Sequence, residues 1–152
     1  NSVYRHINNF LIDKFVLNIR KKAYNSPQSI LSPKGKKSAQ DLIQSIKKDF
    51  SIALLIDQKD SSGTNVPLLG KSAKTQIGFI KLAKKYNLKI YPIENNRSNN
   101  INFEIVIHRP LEFFNRNNKT EEKYAIYHIH EIIGGWIKKN PENWLWQHKR
   151  WG

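Results

Sequence analysis

The sequence predicts an α/β domain in which helices layer a mixed β-sheet. Segments whose apolar residues recur at helical spacing alternate along the chain with short apolar or alternating runs, which are typical of strands. The chain has 152 residues, of which 39% are hydrophobic and 11% are aromatic. This length and composition are sufficient to bury a core, so we expect one folded domain over residues 1–152 and no long disordered tract.

The first predicted elements are a strand end and a helix. Residues 3–5 read as the end of a strand, and Asn9 is placed to cap the helix that follows. The residues of this helix that are predicted to face the core are Ile12, Phe15, Val16 and Ile19. The same periodicity puts Arg20 beside the apolar stripe, where a desolvated guanidinium needs an anionic partner.

A strand, a helix and a second strand follow. Residues 29–31 are predicted to form a short strand that ends at Pro33. Residues 36–50 give an amphipathic helix with lysines on its outer face. The run 52–56 is wholly apolar and comes directly after this helix, which predicts a strand buried on both faces.

The second half of the chain alternates in the same way. Glycines and Pro67 mark residues 57–70 as a loop, and residues 72–86 form a helix. Two strands follow over residues 88–93 and 101–107, joined by an exposed turn. One face of the second strand is predicted to carry Ile101, Phe103, Ile105 and Ile107.

A long helix closes the pattern. Thr120 is placed to cap it, and the acidic residues that come next suit the positive end of its dipole. Pro141 ends the helix, because proline cannot continue its hydrogen bonding. His128 and His130 lie two residues apart and face different sides of the helix, which argues against a metal site built from them.

The charge of the chain favours polyanionic partners. Lysine and arginine number 26 against 12 acidic residues, which gives a formal net charge of +14. Such an excess attracts nucleic acid, anionic lipid or an acidic protein, and does not choose among them. The absence of cysteine excludes disulfides, a thiolate nucleophile and cysteine-ligated zinc. The longest wholly apolar run, residues 52–56, is far shorter than the about 20 residues that span a bilayer.

Three stretches are specific enough to carry a resemblance. The first runs from Val3 to Arg20 and contains Val-Tyr-Arg, Asn-Asn and Leu-Ile-Asp. The second runs from Ile56 to Thr75 and contains Ile-Asp-Gln, Gly63 and Val-Pro-Leu-Leu-Gly. The third reads Pro-Glu-Asn-Trp-Leu-Trp-Gln-His-Lys-Arg-Trp over residues 141–151. In this order and spacing they resemble the C-terminal half of the lipid A biosynthesis lauroyl/myristoyl acyltransferase family.

The resemblance implies an acyltransferase with the glycerolphosphate-acyltransferase-like α/β fold. It implies transfer of a fatty acyl chain from an acyl carrier protein thioester to a hydroxyl of a lipid A precursor, an anionic glycolipid. The expected location is the cytoplasmic face of the bacterial inner membrane. The expected partners are the acidic carrier protein, the glycolipid and the membrane surface, without nucleic acid. No metal or organic cofactor is implied.

The best known motif of that family is not found in this sequence. Members use a histidine followed, after four residues, by Asp or Glu; the histidine is the general base for the acceptor hydroxyl and the acid orients it. Five positions after the first four histidines stand Leu11, Phe113, Ile133 and Gly135, and His148 lies too near the C-terminus. We therefore expect the base to lie upstream of this sequence and the isolated chain to be inactive.

The other site residues are expected in the first two stretches. Arg20 and Asp57 are assigned to catalysis: Arg20 holds the lipid phosphate or the thioester oxyanion, and Asp57 follows directly on an apolar strand, where α/β proteins place functional groups. The residues assigned to substrate binding are Arg5, Gln58, Gly63, Gly70 and Thr75. Each type has a structural alternative as well: a surface arginine, a loop carboxylate, a turn glycine or a helix-capping hydroxyl.

The third stretch and the overall function also have alternatives. The tryptophans are expected to pack the C-terminal tail onto the core, with His148 and Arg150 as structural partners, although aromatic rings also favour a membrane interface. One rival function is a basic nucleic-acid-binding module, which the charge permits but no recognised motif supports. The other is an acyltransferase with a different glycolipid or lysophospholipid acceptor.

Overall fold

The computed structural model describes residues 1–4, 7–24, 30–33, 36–98, 101–113 and 121–152. These residues form four helices and six short strands, so the predicted α/β class is confirmed. The strands pair in three two-stranded sheets, one parallel and two antiparallel, where a single mixed sheet was predicted. The chain divides into two compact units, Asn1–Leu55 and Ile56–Gly152.

The first unit contains two strands and two helices. They are β1 (Ser2–Tyr4), α1 (Phe10–Tyr24), β2 (Leu31–Pro33) and α2 (Lys36–Lys47). β1 and β2 pair in parallel, with Val3 opposite Ser32. The Asn1 amide donates to the hydroxyls of Ser32 and Ser45, at 3.0 and 2.7 Å, and so connects this strand pair to α2.

Helix α1 begins at the predicted residue. The side-chain oxygen of Asn9 accepts hydrogen bonds from the backbone nitrogens of Leu11 and Ile12, at 3.0 and 3.2 Å. These are the two positions that an N-cap side chain satisfies.

The predicted inward face of α1 is wrong. Asp13 is buried and accepts a hydrogen bond from the backbone nitrogen of Ile7 at 2.9 Å, while Val16 is half-buried. Phe15 and Ile19 lie on the outer side of the helix, at 65% and 50% exposed. Because Asp13 turns inward to satisfy a backbone donor, the apolar stripe on the opposite side faces outward.

Residues 52–56 do not form the doubly buried strand that was predicted. A single parallel bridge joins Ala53 to Ser2, and the backbone nitrogen of Ala53 donates to the carbonyl oxygen of Asn1 at 2.8 Å. Leu55 is largely exposed. The apolar run marks an extended segment, but burial on both faces would require neighbours on each side, and the bridge supplies one.

The second unit contains four strands and two helices. They are β3 (Thr64–Leu68), β4 (Lys71–Thr75), α3 (Gly78–Tyr86), β5 (Ile93–Ser98), β6 (Asn102–Ile107) and α4 (Glu122–Lys139), followed by a short turn of 3-10 helix, Pro141–Asn143. Helix α4 ends just before Pro141, as predicted. Its predicted cap, Thr120, lies outside the described residues. Within those residues, no helix combines the length and the apolarity that crossing a membrane requires.

Hairpin β3–β4 lies where a loop and the start of a helix were predicted. Leu69 and Gly70 form its two-residue turn with φ values of 51° and 77°. Type I′ hairpin turns need a positive φ at both positions, and the first of them is usually Asn, Asp or Gly. Because leucine is not typical of this position, the turn was not predicted. The helix that was predicted over residues 72–86 starts later, at Gly78, after the second strand of the hairpin.

The core of the second unit lies between hairpin β3–β4 and helix α4. Val66, Leu68 and Ala73 alternate onto the inner face of the hairpin. The buried apolar stripe of α4 that packs against them consists of Ala125, Ile126, Ile129, Ile133 and Ile137. Ile80 of α3 and Phe113 complete this cluster.

Hairpin β5–β6 differs from its prediction in two ways. Its first strand begins at Ile93, where the predicted strand ended, because the polar residues after Ile93 pair with β6 instead of turning. The predicted shared face of β6 is confirmed by the register, but it is not in the core. Phe103, Ile105 and Ile107 are 57%, 59% and 66% exposed.

Candidate functional site

The loop that carries Asp57 folds back onto strand β4. The backbone nitrogen of Asp60 donates to the carbonyl oxygen of Lys74 at 3.1 Å, and that of Gly63 donates to the carbonyl oxygen of Asp60 at 2.9 Å. A Cβ atom on Gly63 would lie 2.5 Å from the carbonyl oxygen of Thr75 and 2.8 Å from its nitrogen. Only glycine permits this approach, so Gly63 sets the distance between the loop and β4.

Three buried polar side chains form a hydrogen-bonded network on β4. Thr75, His130 of α4 and Arg150 of the C-terminal tail are each 1% exposed. Arg150 Nη2 donates to Thr75 Oγ1 at 2.6 Å and lies 3.4 Å from His130 Nε2. Arg150 Nη1 donates to the carbonyl oxygen of Lys74 at 2.8 Å, and Thr75 Oγ1 lies 3.1 Å from His130 Nε2. The network therefore joins β4, α4 and the tail.

His130 is held as a neutral ring in this network. Its Nδ1 lies 2.8 Å from the carbonyl oxygen of Pro67, which can only accept, so Nδ1 carries the proton and Nε2 is the acceptor. Burial lowers the pKa of His130, and the positive charge of Arg150 lowers it further. The hydrogen bond to Pro67 opposes this shift without cancelling it.

Arg150 is a buried cation that interacts electrostatically with the loop that carries Asp57. Burial lowers its pKa from the usual arginine value, and the carboxylate of Asp57 acts in the opposite direction. Arginine stays charged at neutral pH even so. Its Nε is buried and has no hydrogen-bond partner among the described residues. Asp57, a predicted catalytic residue, is thus electrostatically coupled to the tail.

The tail also contacts the loop and hairpin directly. The backbone nitrogen of Lys59 donates to His148 Nε2 at 3.0 Å, and the Lys59 ammonium donates to the carbonyl oxygen of Gly152. Trp151 Nε1 donates to the carbonyl oxygen of Leu68 at 3.1 Å. These contacts, together with those of Arg150, confirm the prediction that His148 and Arg150 are structural partners of the tail.

The tryptophans of the third stretch divide between packing and exposure. Trp144 and Trp151 pack against the core, as predicted. Trp146 is 54% exposed, its ring stacks on Trp151 with centroids 6.4 Å apart, and its Nε1 donates to the carbonyl oxygen of Pro141 at 2.7 Å.

The predicted site residues of the second stretch occupy different environments. Asp57 is half-buried and Gln58 is exposed, both at the start of the loop. Gly63 is held against Thr75, while Gly70 lies in the exposed hairpin turn, where its positive φ already explains a glycine. The loop and β4 therefore bring Asp57, Gly63 and Thr75 into one region.

The predicted site residues of the first stretch belong to the first unit. Arg20 is exposed on α1, and its guanidinium carbon lies 5.9 Å from the centroid of the Tyr4 ring, within the range of a cation–π contact. The expectation that Arg20 lies beside a buried stripe is wrong, because that stripe faces outward. Arg5 lies outside the described residues.

Thr75 and His130 have the composition of a nucleophile and its base. A hydroxyl lies beside the acceptor nitrogen of a neutral imidazole, whose other nitrogen is oriented by a carbonyl. Their burial argues against this use, since neither side chain has surface that a substrate reaches. Thr75 does not cap α3 either, because the N-cap of that helix is Ile77. The network instead fixes β4 and the loop against it; direct substrate binding by Thr75 stays a prediction.

Like His148, which accepts from Lys59, two further histidines with defined partners were not among the predicted site residues. His130 shares helical spacing with Ile126, Ile133 and Ile137, a signal that predicts its burial. His108 Nε2 lies 3.2 Å from Glu94 Oε2, and only the register of hairpin β5–β6 brings them together. The described residues contain no cluster of three or more histidine or carboxylate groups placed to hold a metal ion.

Comparison with known proteins gives a match over the full length. The sequence model of the family described as bacterial lipid A biosynthesis acyltransferase matches residues 1–152. A search of curated proteins finds no match to the chain.

Proposed function

The chain belongs to the bacterial lipid A biosynthesis acyltransferase family, and we propose that it transfers a fatty acyl chain from an acyl carrier protein thioester to a hydroxyl of a lipid A precursor. The family membership makes it an acyltransferase. The donor and the acceptor are the parts that the proposal adds.

One structural observation supports this reading. Two of the three stretches that carry the family resemblance, 56–75 and 141–151, meet in space. His148 accepts from Lys59, and Arg150 donates to Thr75, across more than 70 residues of sequence. The long-range contacts join residues of two stretches of the recognised pattern to one another, which supports the reading that these stretches belong to one structural unit of the family.

The reaction sets the requirements for the site. The acceptor hydroxyl gives its proton to the general base and its oxygen attacks the thioester carbonyl carbon, so the carbonyl oxygen becomes an oxyanion. Collapse of this intermediate breaks the carbon–sulfur bond, and the carrier leaves as a thiolate that takes up the proton. Cations or hydrogen-bond donors must stabilise the oxyanion and hold the anionic acceptor. Arg20 is our candidate for one of these tasks. Asp57, which interacts electrostatically with Arg150, is our candidate for orienting the substrate.

The general base is proposed to come from residues outside this sequence. No histidine of the chain is followed five positions later by Asp or Glu. The 152-residue chain alone is therefore expected to give no acyl transfer. The enzyme is proposed to act at the cytoplasmic face of the bacterial inner membrane, where the precursor and the carrier protein meet.

The test uses the complete gene product. It is incubated with acyl carrier protein thioester and lipid A precursor, and mass spectrometry follows the gain of one acyl chain by the precursor. Lysophospholipid is offered in parallel as the rival acceptor. Transfer to lysophospholipid in place of the precursor would refute the proposed acceptor, and the absence of any transfer would refute the proposal itself.

Arg20→Lys tests the cationic role within the same assay. The substitution keeps the charge but loses the planar guanidinium and its paired donors, so kcat/KM is expected to fall by about ten-fold or more, which corresponds to about 1.4 kcal/mol. Arg109→Lys, at an exposed arginine of the second unit, is the matched control and is expected to leave kcat/KM unchanged. Parental turnover by the Arg20 variant would show that this arginine only stacks on Tyr4.

A further inference from the structure

The outer side of helix α1 carries a continuous apolar stripe. Its members are Leu11, Ile12, Phe15 and Ile19, which are 73%, 50%, 65% and 50% exposed. Leu11, Phe15 and Ile19 follow each other at intervals of four residues, so they line one face of the helix over about 12 Å. We call these four residues the outer stripe. It is a row of large side chains that no element of the described chain removes from solvent.

Three lysines of α1 lie beside the outer stripe. Lys14 and Lys21 lie along one edge of the outer stripe, and Lys22 lies at its C-terminal end, three residues after Ile19. All three lysines are exposed. The one acidic residue of the helix, Asp13, is buried on the opposite side and accepts a hydrogen bond from Ile7. Every exposed charge of α1 is therefore positive.

This combination has a specific physical preference. A helix with bulky apolar side chains on one face and lysine or arginine beside them is suited to lie in the plane of a membrane interface. The apolar side chains enter the acyl region, and the lysine stems extend so that their ammonium groups reach the headgroups. A nucleic acid would satisfy the lysines but would leave the outer stripe in water.

A second exposed apolar face, on hairpin β5–β6, lacks the charge pattern. Its single cation, Arg97, lies over the ring of Phe103, with its guanidinium carbon 5.3 Å from the centroid. Glu94 and Glu104 belong to the same two strands. Of the two apolar faces, only that of α1 has charge complementary to an anionic surface.

We propose that the outer stripe of α1, with Lys14, Lys21 and Lys22, docks the chain on the surface of an anionic phospholipid bilayer. The helix lies parallel to the bilayer, with the outer stripe below the headgroup level and the lysines among the phosphates. The proposal assigns a lipid contact to particular residues and does not depend on acyl transfer, so each can fail while the other holds.

The first experiment measures binding of the 152-residue chain to phosphatidylcholine vesicles with and without phosphatidylglycerol, by co-sedimentation. Binding is expected only with the anionic lipid, and it should weaken as salt rises. The double variant Leu11→Ser with Phe15→Ser is expected to bind at least about ten-fold more weakly, because both side chains lose their place in the acyl region. Ile105→Ser, the same type of change on the other apolar face, is expected to bind like the parent.

A charge-reversal pair separates this site from the general basic character of the chain. Lys14→Glu with Lys21→Glu is expected to weaken vesicle binding by about ten-fold or more. Lys81→Glu with Lys138→Glu changes the net charge equally at exposed positions of the second unit and is expected to have a clearly smaller effect. Circular dichroism establishes that each variant is folded. Equal losses from both pairs would overturn the assignment to α1.

A third experiment reports depth directly, using the absence of cysteine in the chain. Leu11→Cys and Ile105→Cys are each labelled with an environment-sensitive fluorophore. The probe at residue 11 is expected to shift to shorter wavelength on anionic vesicles, and the probe at residue 105 is not. The proposal is overturned if the chain does not bind vesicles, if the residue 11 probe stays in water, or if the Leu11/Phe15 variant instead dissolves a dimer formed without lipid.

Discussion

The two antiparallel hairpins of the second unit have similar sequence patterns and opposite environments. In hairpin β3–β4, Val66, Leu68 and Ala73 are almost fully buried beneath α4. In hairpin β5–β6, the cross-strand pair Ile93 and Ile107 is more than half exposed. Alternation put the apolar residues of each hairpin on one face, but it did not determine which face would be covered.

The difference lies in residues far away along the chain. Hairpin β3–β4 is covered by α4 and by the tail, whose Arg150 and Trp151 bond to β4 and β3. No described element covers the apolar face of β5–β6 in the same way, so its isoleucines keep their solvent contact. The local alternation of residues determines which side chains share a face of the hairpin. Contacts with distant parts of the chain determine whether that face is buried.

The largest expected effect comes from truncating equivalent leucine and isoleucine side chains in the two hairpins. Leu68→Ala removes a side chain that is 1% exposed and leaves a cavity, so the free energy of unfolding should fall by about 3 kcal/mol. Ile105→Ala, on the exposed face, should change it by less than about 1 kcal/mol. Urea denaturation of both variants measures the difference.

Equal losses from the two truncations would contradict the comparison. They would mean that the face of β5–β6 is buried in solution, by a second copy of the chain or by another protein. A concentration-dependent denaturation midpoint in the parent, lost in the isoleucine variant, would identify the second copy as the cover.

A smaller effect is expected where the loop touches the buried hairpin. Gly63→Ala forces a Cβ into the backbone of Thr75, which has no flexible side-chain end to give way, so the free energy of unfolding should fall by about 2 kcal/mol. Gly135→Ala is the control: a Cβ there meets nothing within 4 Å inside a helix, and stability should rise by up to about 1 kcal/mol. Thermal unfolding distinguishes the two signs.

If Gly63→Ala were as stable as the parent, the loop would have to lie farther from β4 than the structure places it. The same substitution, made in the complete gene product, would then be expected to leave the proposed acyl transfer unchanged. A stable but inactive variant would instead show that the loop moved and that its position matters for the reaction.

Sequence predicted the parts of the fold that depend on neighbouring residues. The cap at Asn9 and the end of α4 before Pro141 need only local hydrogen bonding, and both are confirmed. The turn at Leu69 was missed because leucine rarely takes a positive φ. The inward face of α1 was missed because Asp13, the polar residue, is the one that turns inward.

The candidate site was predictable to a similar extent. Residue type and order identified the loop at Asp57 and the tail at Arg150, but not that Arg150 would be buried against Thr75. That contact joins positions 75 residues apart, and no periodicity encodes it. The place of His130 on the apolar stripe of α4 indicated that this side chain would be buried. Nothing in the sequence indicated its hydrogen-bond partner in the network.

The smallest expected effect is a pH dependence that belongs to the buried hairpin alone. Burial makes His130 bind its proton less readily in the folded chain than in the unfolded chain, whose histidines keep the ordinary pKa of 6.5. The unfolded state therefore binds more protons below that pH. The contribution of His130 is fully present above pH 6.5 and is lost as the pH falls from there through the lowered pKa of the folded state.

His130→Asn isolates this contribution, because the asparagine amide can still donate to the carbonyl oxygen of Pro67 but cannot be protonated. Unfolding by urea is followed at a series of pH values, and the loss of stability below pH 6.5 should be shallower in the variant than in the parent. His128→Asn changes an exposed histidine two residues earlier and should leave the parental slope intact. If the His130 variant kept the full slope, the ring would be protonated in the fold, and Nε2 would have to act as a donor toward Thr75. Such a ring could not accept a proton from a neighbouring hydroxyl, and a positive charge beside Arg150 would require a further anion in this network.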